Sequence, residues 1–330
     1  QTIAVYIASL LLSGFWSEPL DWYRLGQKTT VAVNIISFIA VTHFLVHWNH
    51  ILFNRMLQAV ILFAAMAAAV SIIVFYGHNP FPEARLHPIG SLTNINEFSN
   101  VYGVFALLAT FFIMRVPGRT LKSLFLLSIV IFICVMWFGQ SRTASASLAI
   151  TLLCFLGLTS KTKRLLYITT FAIFCSFLFL SFPEALDHAI RRGQGLRPLI
   201  WAAVWDEAKS TPFFGQGFIS TVSVEVAGHI FETAHNAFLQ LFWQGGAVGV
   251  MIFLLLLAVA FRHAWSRGQQ QGDFSVFCML LFAVCTMTTG VDTLIDRPRD
   301  QWLLFWFPLA LLLSYQSGAP RSRFYHPLST

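Results

Sequence analysis

Ten stretches of this chain are continuously apolar: 2–16, 29–46, 56–76, 98–114, 121–138, 144–159, 165–182, 236–261, 274–291 and 301–317. A helix that crosses a bilayer needs about 20 mostly apolar residues, with about 17–25 the usual range. The runs do not alternate between apolar and polar residues, so barrel strands do not fit them. Hydrophobic residues make up 57% of the 330, including 34 Phe and 10 Trp, and charged residues only 11%. A soluble domain carries about 25% charged residues. Soluble enzyme folds, nucleic-acid modules and disordered chains are therefore poor fits. The sequence predicts an all-α polytopic membrane protein of about ten transmembrane helices, forming one integral membrane domain over 1–330.

The charges lie in the short connections, and they orient the chain. One set of alternate loops holds Arg55, Arg115, Arg119, Lys122, Lys161, Lys163, Arg164, Arg262, Arg267, Arg321 and Arg323 against a single acid, Asp273. The other set holds the remaining ten cations (21 − 11) and thirteen acids (14 − 1). The first set is expected to be cytoplasmic, together with both ends of the chain. The net charge of +7 thus follows membrane topology and implies no nucleic-acid partner. All five cysteines fall in apolar stretches, which argues against disulfides and a zinc site. The chain opens on Gln1-Thr2-Ile3, already inside an apolar run, and is expected to lack upstream residues.

On the opposite side lies the only long connection, 183–235, far beyond the usual loop length. It is expected to be a helical cap that contributes the active site. Four features of this outer face carry chemistry. Arg142, in Gly139-Gln140-Ser141-Arg142-Thr143, is either an interfacial anchor or an anion site. Arg197 stands just before Pro198, at the entrance of a short helix with Trp201 and Trp205 on one face. Its planar guanidinium suits a phosphate, whereas Arg191 and Arg192 read equally as a solvated cluster. Gly215 and Gly217, in Thr211-Pro212-Phe213-Phe214-Gly215-Gln216-Gly217-Phe218, mark a rigid turn that admits close backbone approach.

The fourth feature is His235, in Thr233-Ala234-His235-Asn236. With Thr233 as the cap, His235 is expected in the first turn of a membrane helix. There the dipole favours a neutral ring, able to act as a base. Asn236 follows it, and His229, six residues earlier, is its decoy. Glu97, among Asn94, Asn96 and Asn100, is expected to pair with an arginine, bind an acceptor sugar or simply sit at the interface.

Taken in order, Ser141-Arg142-Thr143, Arg197-Pro-Leu-Ile-Trp running to Phe218, and Ala234-His-Asn followed by Gly245-Gly246 resemble the O-antigen ligase and polymerase superfamily, most closely its ligases. The early Trp16-Ser17-Glu18-Pro19 break is similar to that family as well. The resemblance implies a fold of about twelve helices in a full-length member, in the bacterial inner membrane. It implies a donor polysaccharide on undecaprenyl diphosphate and a lipid A-core hydroxyl as acceptor, met on the periplasmic face. Carried over by position, Arg142 and Arg197 hold the diphosphate and His235 activates the acceptor. No cofactor and no metal are expected, because arginines replace a cation at the diphosphate. Attack opposite the diphosphate inverts the anomeric centre. A polymerase or a protein O-oligosaccharyltransferase with the same site is the alternative. A transporter or flippase is the alternative of another class, but no basic residue lies near a span centre.

Overall fold

The computed structural model describes residues 1–81, 83–88, 94–158 and 195–316. The predicted span 165–182, the 160–164 loop and both Arg191 and Arg192 lie outside them. Ten α-helices are seen among the described residues: α1 (Thr2–Ser13), α2 (Trp22–Trp48), α3 (His50–Tyr76), α4 (Ile95–Ile113), α5 (Arg119–Phe138), α6 (Arg142–Leu158), α7 (Arg197–Ala208), α8 (Ala237–Gln271), α9 (Ser275–Met287) and α10 (Phe307–Gln316). A π-helical turn, Trp302–Trp306, leads into α10. Five of the helices, α2, α3, α4, α5 and α8, are long and apolar enough to cross a membrane; α1, α6, α9 and the last helix are shorter apolar ones. This is an all-α polytopic membrane protein.

Several helices overrun the apolar stretches. α2 begins at Trp22, seven residues before the stretch that starts at 29, because Asp21 caps it: its Oδ1 accepts from Tyr23 and Arg24 amides at 2.9 and 3.0 Å. Lys28 within it is tolerated because it pairs with Asp296 at 3.3 Å. α4 is the centre of the bundle: 72% of its most apolar window is buried, against 22% for α3. It has no side chain at Gly103, where the ring of Phe282 from α9 packs on its backbone. On the basic side, the lone acid Asp273 is only 5% exposed and meets Arg115 at 2.6 Å and Arg267 at 3.5 Å. Burial pushes its carboxyl up, but the two guanidiniums and the Ser275 hydroxyl outweigh that and hold it below the usual range.

The cap is not wholly helical. Val224–Val226 (β1) and His229–Phe231 (β2) form an antiparallel hairpin, with Val226 opposite His229. Ala227 and Gly228 both have positive φ, 53° and 78°, as a tight two-residue hairpin turn requires. Val224 and Val226 face inward against Ile200, Val204 and Ala208 of α7 and Trp243 of α8. His229 thus lies in an ordered strand rather than an ill-defined stretch.

α8 is broken at Gly246, whose φ of 60° and ψ of −162° leave the helical region. Residues 212–217 fill the break. Gln216 and Gly217 amides donate to the Trp243 and Gln244 carbonyls, and Ala247 and Val248 amides donate to those of Pro212 and Phe213, all at 2.8–3.1 Å. A Cβ on Gly215 would strike the Gln244 backbone, and one on Gly246 the Phe213 backbone. The loop after α1 seals the other side: the Trp16 indole donates to the Phe214 carbonyl at 3.3 Å and the Ile219 amide to Ser17 Oγ at 3.2 Å. Two sequence motifs and the Trp16–Pro19 break are therefore parts of one junction. Gly246→Ala is expected to lower the thermal unfolding midpoint of the detergent-purified protein by several degrees, from strain and overlap of about 1–3 kcal/mol or more. Gly26→Ala, in open space on α2, is expected to leave it unchanged or raise it.

Candidate active site

The starts of α4 and α7, the segment before α8 and the connection from α9 to α10 converge on one cleft, with the start of α6 beside it. Its lining includes Asn94, Asn96, Glu97, Arg197, His235, Asp292, Thr293, Asp296, Arg299 and Asp300.

The cationic side is built by two helix starts. α5 ends at Phe138, a three-residue turn follows, and α6 opens on Arg142. Arg197 opens α7, with Pro198 in the first turn as expected. Arg197 Nη1 donates to Thr143 Oγ1 at 3.4 Å, and that hydroxyl lies 2.9 Å from Thr289 Oγ1. Burial, and then the neighbouring charge of Arg142, lower the pKa of Arg197, while Asp292 acts in the opposite direction. An arginine remains protonated under such a shift. Arg197 is partly buried and Arg142 exposed, and two like charges that act on each other form a site that an anion would stabilise.

Across the cleft stands His235, and here the expected geometry is corrected. The cap of α8 is Asn236, not Thr233: its Oδ1 accepts from the Phe238 and Leu239 amides at 3.0 and 3.2 Å. His235 therefore precedes the helix and adopts a left-handed φ of 49°. Asn is the better cap, and a left-handed residue cannot belong to a right-handed turn. His235 Nδ1 lies 3.2 Å from Asp292 Oδ1 and 3.4 Å from Thr233 Oγ1. The Asp292 contact has the distance of an ion pair, and Oδ1 is buried without a hydrogen-bond partner. The negative charge of the carboxylate beside Nδ1, and not a hydrogen bond, favours the proton on that nitrogen.

The third side is acidic and amidic. Glu97, in the first turn of α4, lies 3.4 Å from Arg299 Nη1. It thus pairs with an arginine, though not with Arg142 or Arg197. Below it, Asn100 Nδ2 donates to the buried Asp300 Oδ2 at 2.8 Å. Burial pushes Asp300 up to about 7 against the pull of that hydrogen bond, and the charge of Glu97 adds to the push. Among the described residues, no group of three or more His, Cys, Asp or Glu is placed to hold a metal.

The structure thus brings Arg197, His235 and Glu97 to one cleft, with Arg142 beside Arg197. It places Gly215 and Gly217 in the α8 junction instead, and Asn236 at the helix cap. An apolar groove adjoins Asn236, lined by Trp201, Trp205, Phe238, Leu239 and Phe242. Trp205 stacks on Phe242 at 5.0 Å. Sequence reasoning missed Asp292, Thr289, Arg299 and Asp300, all in or next to the nine-residue connection 292–300. Five ionisable residues in nine, on the face poor in cations, were the available signal.

Comparison with known proteins bears on the same residues. The family model described as O-antigen ligase matches residues 127–254, which include Arg142, Arg197 and His235. The O-antigen ligase of Pseudomonas aeruginosa is 25% identical over 315 residues, covering 93% of this chain and 77% of its own length. Both matches agree with the resemblance to the O-antigen ligase family carried by the three motifs, and the apolar helices make the chain a multi-pass membrane protein.

Proposed function

We propose that the cleft transfers a polysaccharide from undecaprenyl diphosphate to a sugar hydroxyl of lipid A-core, on the periplasmic face of the inner membrane. The observation that carries this reading is the placement of Arg197 and a histidine–carboxylate pair around one cleft, with Arg142 beside Arg197. Transfer breaks the bond between the anomeric carbon and the diphosphate oxygen and forms one to the acceptor oxygen. Arg142 and Arg197 stabilise the charge that develops on the departing diphosphate. His235 Nε2 accepts the acceptor's proton as the new bond forms, and Asp292 steadies the resulting imidazolium. The acceptor enters opposite the leaving group, so the anomeric centre inverts. The arginines supply the charge that a divalent cation supplies elsewhere, and transfer is expected to survive chelators. The hydrocarbon of the donor lies along the Trp201–Phe242 groove, which is apolar and open beside Asn236. Glu97 and the amides of Asn94 and Asn96 suit the hydroxyls of a sugar.

Purified protein, lipid-linked donor and lipid A-core provide the test. Capped lipopolysaccharide is expected, in EDTA as well as in Mg²⁺. Glycan lengthened on the donor lipid would instead mark a polymerase. Topology is tested separately in spheroplasts with the native cysteines replaced. Cys at Lys209, on the cap, is expected to react with an impermeant thiol reagent, and Cys at Lys122 only after lysis. The reverse pattern would invert the orientation.

A further inference from the structure

Arg142 is delivered by a turn of three residues, and that turn is held from far away in the chain. A helix leaves its last carbonyls without helical partners. Two near the end of α5 are taken up by the outer loop that follows α3. The Leu86 amide donates to the Phe138 carbonyl at 3.0 Å. Arg85 Nε donates to the Gly139 carbonyl at 2.8 Å.

This strap is itself anchored. Leu86 is fully buried. The Tyr76 hydroxyl donates to the Ala84 carbonyl at 2.8 Å. The rings of Phe81 and Tyr76 pack on Phe138 at 5.2 and 5.7 Å. Inside the turn, Gln140 adopts a left-handed φ of 49°, a conformation that surroundings must hold for a residue with a side chain. Gly139 therefore has its amide fixed by Val135 and its carbonyl fixed by Arg85.

We infer that Arg85 is a positioning residue for Arg142. Through Nε it fixes the Gly139 peptide, and with it the direction in which α6 presents Arg142 and Thr143 to Arg197. The inference rests on the reading that Arg142 holds the donor diphosphate. It assigns the work to one N–H and not to the charge of the guanidinium.

The chemistry of the side chains permits a clean test. In glutamine the amide nitrogen follows three carbons, Cβ, Cγ and Cδ, as Nε does in arginine. Arg85→Gln therefore keeps a donor at the same position without the charge. Arg85→Met keeps the length and has no donor. Steady-state transfer is measured on folded, monodisperse protein, with donor concentration varied. Arg85→Gln is expected within about threefold of the unmodified protein. Arg85→Met is expected to lose about 10–100-fold in kcat, the usual range for a partner that orients a reacting group. In an Arg142→Lys background the Met substitution is expected to cost nothing further, because its effect passes through Arg142.

Equal losses in Arg85→Gln and Arg85→Met would overturn the inference and make the charge itself the active feature. So would full activity of Arg85→Met, or a loss of the same size in the Arg142→Lys background. If Arg142→Ala is itself fully active, the donor reading falls first. If Arg142→Ala is inactive while Arg85→Met is not, only the role of Arg85 falls.

Discussion

His235→Ala is expected to lower turnover by about 10²–10⁴-fold, the usual worth of general-base help, while lipid-linked donor still binds. The expectation comes from the ring's position. Its Nδ1 lies 3.2 Å from Asp292 Oδ1, and in the proposed mechanism Nε2 takes the acceptor's proton. The left-handed backbone at this position calls for a second variant, since alanine is strained there. Asn tolerates that conformation, and His235→Asn is expected to be as inactive as His235→Ala with a thermal midpoint nearer the unmodified protein. Asp292→Asn preserves shape and removes the charge. It is expected to lose about 10–100-fold in kcat with little change in KM. His229→Ala, exposed on the hairpin, is expected to cost far less. The measurement is transfer by purified variants, with donor binding determined separately. Loss of donor binding in His235→Ala would make the ring a phosphate ligand instead of a base. Normal turnover would remove it from the chemistry.

Arg142→Ala and Arg197→Ala are each expected to reduce transfer by more than about 10²-fold, since removing one stabilising donor from a reacting centre costs about 10²–10³. Lysine keeps the charge but not the planar fork, so Arg→Lys at either site is expected to recover little. Both changes are expected to weaken donor binding, which separates them from His235→Ala. Arg197→Ala also releases the hydrogen bond to Thr143, so its effect and that of Arg142→Ala are expected to be less than additive. Full activity of either folded alanine variant would remove that arginine from the site. Recovery by added Mg²⁺ or Mn²⁺ would show that a metal shares the role.

The helices were legible because apolar length is a direct requirement of the bilayer, and nine of the ten stretches coincide with described helices. Their ends were less so. Charged residues such as Lys28 mark an edge in the sequence, but a partner 268 residues away lets the helix run past it. The arginines and His235 were legible because each stood beside a helix start on the face poor in cations. The local geometry at His235 was not, since Thr233 and Asn236 are both competent caps and only the left-handed backbone decides between them. Asp292 and Arg85 were illegible for another reason. Their partners come from distant connections, and nothing in the spacing of the chain joins 85 to 139 or 235 to 292. The hairpin at 224–231 was too short for alternation to stand out.

The break in α8 has a consequence for how the molecule is made. A chain leaves the ribosome from its N-terminus, so residues 212–217 are made before the stretch that begins at 237. Backbone groups left open beside hydrocarbon cost several kcal/mol each. The carbonyls of Trp243 and Gln244 and the amides of Ala247 and Val248 find their partners in that earlier segment. Seating of α8 is then expected to be coupled to the docking of 212–217 into its break, since each leaves the other's backbone groups open until they meet.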